Sequence, residues 1–290
     1  MHVDSFIKVS IPFVAIVLLA LAALVATLAV NSAPAILRYG LNLITTSGWS
    51  PSEEVYGLLP ALLGTLYVSA LATGLVALIV PGVVALAWEY APASLRGLLR
   101  GLMFYGTALP TVVFGLWGLD YVAPLLRSLR VPGVCENASP TGQSILTGAV
   151  VLALMNAPFA SLILYEAYRF VPFTYREALF SLGATGYERF RVLWGLIKGA
   201  FLGALLLTFG KSVGETTAVS LVVGNSFNIP LCPLEPGITV SSLIVNYVTE
   251  ASLYSYMLST LFSAALVMLL VNALFVAVGL WLARKAGGWR

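Results

Sequence analysis

Charge is scarce in this sequence. Of its 290 residues, 9% are Asp, Glu, Lys or Arg while 60% are hydrophobic, and the mean hydropathy is +0.97. A water-soluble globule of this size needs more polar surface than that, so the composition excludes a soluble enzyme and reads as a polytopic membrane protein. Histidine is limited to His2 and cysteine to Cys135 and Cys232, which leaves no cluster with zinc-ligand spacing; no metal is expected. The net charge of +3 is not a nucleic-acid signature, because the basic residues fall at the ends of apolar runs, and no nucleic-acid partner is expected. Repeats and low-complexity tracts are also missing, so residues 1–290 read as a single domain.

What is abundant is long apolar sequence. Runs able to cross about 30 Å of hydrocarbon occur at Ile11–Val30, Ala61–Val80, Gly101–Leu126, Ser144–Tyr165, Ala200–Val223 and Tyr256–Leu282. They are continuous rather than alternating, which excludes barrel strands and predicts an all-α membrane protein with six transmembrane helices. The first run is preceded by Lys8 but is too long for a signal-peptide core, and counts as a span. The second is expected to end near Pro81 and Gly82. Pro110 is expected to kink the third without ending it.

With the N-terminus inside, the inner loops and ends hold eleven Lys and Arg and the outer ones hold three, Arg38, Arg127 and Arg130, with Lys211 left inside the membrane. This bias predicts a cell-membrane protein with both termini cytoplasmic. The first outer loop, containing SGWSPSEEVYG, reads as solvated surface. Cys135 and Cys232 both fall in outer loops, where an oxidising exterior permits a disulfide between them; two free buried thiols are the alternative. Such a bridge contributes at most about 4 kcal/mol in the chain-entropy model. Asn137-Ala138-Ser139 is a glycosylation sequon weakened by Pro140.

Two stretches carry chemistry. Thr174-x-x-Glu177 has the form of a capping box, and it opens a helix over about Tyr175–Leu182 that Gly183 stops. Eight residues cannot cross a bilayer, so this helix either lies on the lipid interface or docks into a groove of another protein. Lys211 and Glu215 stand four apart in the fifth run, on one helical face. Ionisable residues at that depth normally pair or face a wet cavity, so the two are read as an ion pair, either fixing helix packing or gating a solute path. Thr216 and Thr217, with Thr208, Ser212 and Ser220, are candidates to line it. Gly210-Lys211-Ser212 imitates the end of a P-loop, but Leu205 stands where the first glycine is required and the preceding residues are apolar helix, so nucleotide binding is not expected. Asn156, Glu166 and Asn272 are further polar residues in or near spans, with no role assigned.

Glu177-Ala178-Leu179 followed by Gly183-Ala184, on an inner loop before the next-to-last span, resembles the coupling segment of ABC importer permeases. Gly214-Glu215-Thr216-Thr217-Ala218-Val219 followed by Gly224-Asn225 is similar to the signature of the C-type permease of the high-affinity phosphate importer. Leu43 to Trp49, Gly64-Thr65-Leu66, Leu109-Pro110-Thr111 and Gly115 to Leu119 agree with it, over roughly residues 40 to 285. The resemblance implies a type I ABC importer permease fold, and a heterodimer with a second, A-type permease. It implies two copies of a cytoplasmic ATPase that bind ATP and magnesium, and an external phosphate-binding protein. It implies no cofactor on this chain and no enzymatic activity of its own. Glu177, Ala178, Leu179, Gly183 and Ala184 would couple to the ATPase. Lys211, where the family usually carries arginine, would act with Glu215, Thr216 and Thr217 on phosphate passage, by contact or as a gate. The alternatives are a permease for sulfate, molybdate or tungstate, and an integral-membrane enzyme acting on lipid phosphate, for which the catalytic acids and histidines are lacking.

If the outer loops are bridged, a non-reducing peptide map recovers Cys135 and Cys232 in one linked fragment. Alkylation of both thiols without reductant excludes the bridge.

Overall fold

The computed structural model describes residues 2–128, 135 and 137–286. Residues 131–134 and 136 of the loop that carries Cys135 lie outside them, as do Arg130 and Arg290 of the charge count. Helix α1 (His2–Tyr39) continues through Pro12 and Pro34 and is followed by a single turn, α2 (Asn42–Thr45). A small hairpin follows, β1 (Trp49–Ser50) antiparallel to β2 (Val55–Tyr56). Then come α3 (Leu59–Ala85), α4 (Ala93–Gly106), α5 (Thr111–Trp117), α6 (Ala123–Ser128) and α7 (Ile145–Arg169). The remainder is α8 (Phe173–Ser181), α9 (Gly186–Val213), α10 (Thr217–Val222), α11 (Val240–Tyr247) and α12 (Met257–Ala286). Among the described residues five helices are long and apolar enough to cross a membrane, or six if α4 and the α5–α6 segment count as one bent span.

Four expectations change. Pro81 does not end the second span: α3 runs through it and continues as a π-turn, Leu86–Tyr90, because Val80 and Val84 are fully buried on either side and hydrocarbon offers no water to a broken helix. Pro110 does more than kink the third span. The chain leaves helix at Thr107–Pro110 and its two legs differ in direction by 95°, since proline lacks a donor and disfavours helix in the residue before it. The fifth span starts earlier and stops earlier than Ala200–Val223, ending at Val213, with Gly214–Thr216 irregular before α10. Finally, the first loop is not merely solvated. Trp49 stacks on Phe227 at 5.0 Å and meets Tyr247 at 5.3 Å, and Tyr56 is buried with its hydroxyl donating to the Ser255 carbonyl at 2.8 Å. Burial pushes the Tyr56 phenol up to about 12, with Tyr39, Glu54 and Tyr254 adding to the effect.

The core runs along α3 and α7, which pack against each other and against α9. At the hairpin end, the loop after α10 folds back onto this pair. It supplies carbonyl acceptors to the first amides of α7: Ile145 N donates to Glu235 O at 3.1 Å and Leu146 N to Pro233 O at 2.7 Å. The last carbonyls of α10 are satisfied in the same region, Leu221 by Gln143 Nε2, Val222 by Ser144 N and Val223 by Gly237 N. Cys135 and Cys232 are joined by a disulfide that ties these two loops together. The Gly64-Thr65 pair of α3 receives the returning loop. Thr65 Oγ1 accepts from Val240 N at 2.9 Å, and a Cβ on Gly64 would overlap the Ile238 carbonyl oxygen.

This packing sets a contrast between two helical glycines. Gly64→Ala forces backbone apart and is expected to cost about 1–3 kcal/mol, whereas Gly97→Ala meets open space and should be neutral or stabilising. Thermal unfolding of the purified variants in detergent measures both.

Candidate functional site

The break in the fifth span is where the polar residues gather. Gly214 is a poor helix former and two β-branched threonines follow it, so the helix ends and a new one starts within the apolar run. Glu215 stabilises the restart: its Oε1 accepts from Ala218 N, 3.2 Å away, in the first turn of α10. That turns the carboxylate from Lys211, which lies in the last turn of α9 rather than halfway along a span. The expected ion pair does not form, since i,i+4 proximity requires a continuous helix. Among the described residues the ion pairs are Arg100–Glu166, Arg169–Glu166 and Arg189–Glu89. Lys211 instead sits over the Phe159 ring, Nζ 5.2 Å from its centroid.

Lys211, Glu215 and Thr216 are half-buried and Thr217 is exposed, so this segment lies at the edge of the chain's own core. Thr208 and Ser212 are different. Both are buried, Ser212 Oγ accepting from Asn156 Nδ2 at 2.9 Å, and they belong to helix packing between α7 and α9. A cavity of about 340 Å³ adjoins the break, with Gly214, Thr216, Ser241 and Asn272 among its lining residues. Helix α10 is pinned on its other side by Val122, Val151 and Phe114.

The second group lies at the other end of the molecule. Helix α8 does not carry the expected capping box. Its N-cap is Pro172, without a side-chain bond, and Thr174 lies inside the first turn. The box is one helix later, at Thr185-x-x-Glu188: Thr185 N donates to Glu188 Oε2 at 2.8 Å and Glu188 N to Thr185 Oγ1 at 3.4 Å, opening α9. The sequence holds two T-x-x-E strings eleven residues apart, and Pro172 already starts the first helix, which leaves that threonine no terminus to cap. Gly183 does end α8, at φ +69°, with Ala184 N bonded to Leu179 O and Gly183 N to Phe180 O in a Schellman arrangement. Glu177 and Ala178 are exposed, Leu179 packs inward, and Phe173, Tyr175, Phe180 and Leu182 present an apolar surface to the outside.

Sequence reasoning missed what holds α8. Glu89, in the π-turn that ends α3, has a side chain only 6% exposed, and both its oxygens are engaged. Oε2 accepts from Arg189 Nε at 2.7 Å, and Oε1 accepts from the Tyr168 hydroxyl. Arg189 also donates to the Ala184 carbonyl at 2.7 Å and lies 4.3 Å from the centroid of the Phe180 ring. Arg176 of α8 donates to the Tyr168 carbonyl and stacks over Trp88 at 4.5 Å. The available signal was a lone carboxylate between Trp88 and Tyr90 at the end of an apolar run.

An exposed apolar helix joined through one long span to a polar break between spans suits a membrane transport subunit, with no cluster of metal-ligating acids among the described residues. Residues 77–288 match the family described as binding-protein-dependent transport system inner membrane component, and the chain belongs to that family. It is 36% identical to the probable phosphate transport system permease protein PstC of Methanocaldococcus jannaschii, over 99% of this chain and 95% of that one. Identity to the phosphate transport system permease protein PstC of Pasteurella multocida is 28%, over 92% and 87%. The fold is shared with a chain of the MetNI methionine ABC transporter in an inward-facing conformation, at a TM-score of 0.61 and 16% identity over 79% of this chain and 95% of that one. It is also shared with a chain of a bacterial alginate ABC transporter, at a TM-score of 0.63 and 13% identity over 99% of both.

The relocated capping box is testable. Thr185→Ala should cost about 1 kcal/mol and speed amide exchange in the first turn of α9, while Thr174→Ala leaves α8 protection nearly unchanged. Hydrogen exchange with thermal unfolding separates the two.

Proposed function

We propose that this chain is the transmembrane permease subunit of an ATP-driven phosphate importer, and that Lys211, Glu215, Thr216 and Thr217 line its translocation path. The observation that carries this reading is the polar segment at the α9–α10 break, which lies half-buried to exposed at the edge of the chain's own core within an otherwise apolar region. Facing lipid, such a segment is costly; facing a second permease across a wet passage, it is in place. Among the described residues no carboxylate pairs with Lys211, so its ammonium is available to an anion as a point charge, without the bidentate fork of arginine. Phosphate is favoured over sulfate, molybdate or tungstate because two relatives that span more than nine-tenths of the chain are phosphate permeases by name.

The partners follow from that reading: an A-type permease across the passage, a pair of cytoplasmic ATPase subunits that bind ATP and magnesium, and an external phosphate-binding protein. Helix α8, through Glu177, Ala178, Leu179, Gly183 and Ala184, is the ATPase contact. The eleven-to-three distribution of Lys and Arg supports both termini, and α8, on the cytoplasmic side. Closure of the ATPase dimer on ATP displaces α8, and the displacement biases the permease between inward and outward states.

In the reconstituted complex, Lys211→Ala should lower labelled-phosphate uptake by tenfold or more, roughly the loss of one charge-assisted contact, with subunit composition unchanged. Lys211→Arg should retain uptake. Normal uptake by Lys211→Ala contradicts the assignment, and sulfate competing as well as phosphate moves it to another oxyanion.

A further inference from the structure

We infer that Glu89 is a positioning residue that makes α8 and α3 move as one body, so that span two, and not α9 alone, carries the ATPase stroke to the external side of the path. This rests on the functional reading above. The geometry begins with the saturation of the carboxylate. Glu89 takes Arg189 Nε on one oxygen and the Tyr168 hydroxyl on the other, joining the ends of α3 and α7 to the start of α9. Through the same guanidinium, Arg189 holds the α8–α9 linker at the Ala184 carbonyl and the α8 side chain Phe180. Arg176 completes the clamp from α8 itself, on the Tyr168 carbonyl and the Trp88 ring. Tyr90 presses against Gly186, the first residue of α9, where a Cβ would stand 3.3 Å from its ring. Together these contacts tie α8, its linker and the first turn of α9 to the terminal turns of α3 and α7.

The far end of α3 is equally committed. Leu59 to Tyr90 is one apolar helix of 32 residues, about 48 Å long. Near its start, Thr65 accepts from Val240 N and Gly64 abuts the Ile238 carbonyl, in the loop that follows α10. That loop closes the carbonyl of Val223, the C-cap of α10, through Gly237 N, and the first turn of α10 is capped by Glu215. A push on α8 therefore reaches the Lys211–Thr217 segment by two routes: directly along α9, and through Glu89, along α3 and back through the loop. The π-turn that carries Glu89 is the point where the second route begins.

The test uses the complete complex, with this chain carrying spin labels at Ser181→Cys in α8 and Leu78→Cys on the exposed face of α3; the native cysteines are bridged and take no label. With wild-type Glu89, the Ser181–Leu78 distance distribution stays narrow and unchanged between nucleotide-free and ATP-bound states. In Glu89→Gln, which keeps the shape but not the charge, ATP broadens or shifts it. Phosphate transported per ATP should fall by about tenfold in Glu89→Gln, with the ATPase subunit still bound and hydrolysis within about twofold of wild type. Arg189→Gln should match it, and the double variant should be no worse than either. A wild-type distance that already shifts with ATP overturns the inference, as does a Glu89→Gln complex with wild-type distances and yield per ATP. Parallel loss of uptake and of the ATPase subunit also overturns it, by reducing Glu89 to a docking role. A wild-type complex that takes up no phosphate contradicts the functional reading instead, while the distances still decide on Glu89.

Discussion

Hydrocarbon supplies no hydrogen bonds, so each place where this chain leaves helix within an apolar run must be closed by the protein itself. Two such places govern the fold, Thr107–Pro110 and Gly214–Thr216. At the second, the Glu215 carboxylate takes an amide of α10, and the two disulfide-linked loops supply donors to all three carbonyls from Leu221 to Val223. The hairpin, the disulfide and the Gly64-Thr65 contact are best understood as what keeps those loops in place. The bent third span serves the same end, since α5 reaches α10 only because the chain turns by 95° before it. An interrupted helix that is closed on one side and polar on the other can bear a path without unravelling.

At the opposite end the constraint is electrostatic. A carboxylate as buried as Glu89 is unfavourable unless both oxygens are satisfied, and here one cation and one hydroxyl do so while drawing four elements to a single point. The exposed apolar side chains of α8 can then be offered to a partner without α8 coming loose. Its terminal glycine and the capping box of α9 make the turn between them short and well defined.

Much of this was legible in the residues. Composition indicates a membrane protein, the continuity of the apolar runs makes it helical, and run length places most of the spans. The segment from Glu177 to Ala184 carried a family resemblance, as did the one from Gly214 to Asn225. What the residues concealed were consequences of packing. From the residues Pro81 is expected to end a span and Pro110 only to kink one, yet the first is held in helix by Val80 and Val84 and the second follows a helix end. Lys211 and Glu215 are four apart and suggest a pair, but Gly214 between them ends the helix on which pairing depends. Two T-x-x-E strings look equivalent until Pro172 settles which threonine stands at a helix terminus. Glu89 was missed because its partners, Tyr168 and Arg189, lie 79 and 100 residues away.

The central claim, that the α9–α10 break faces a water-filled passage in the assembled transporter, is tested most directly by thiol accessibility. In the reconstituted complex a membrane-impermeant thiol reagent should modify Thr217→Cys in at least one nucleotide state. It should leave Leu207→Cys, an exposed apolar position of α9, unmodified throughout. If Thr217→Cys is as inert as Leu207→Cys in every nucleotide state, the break lies against lipid or protein and the account of the path is wrong.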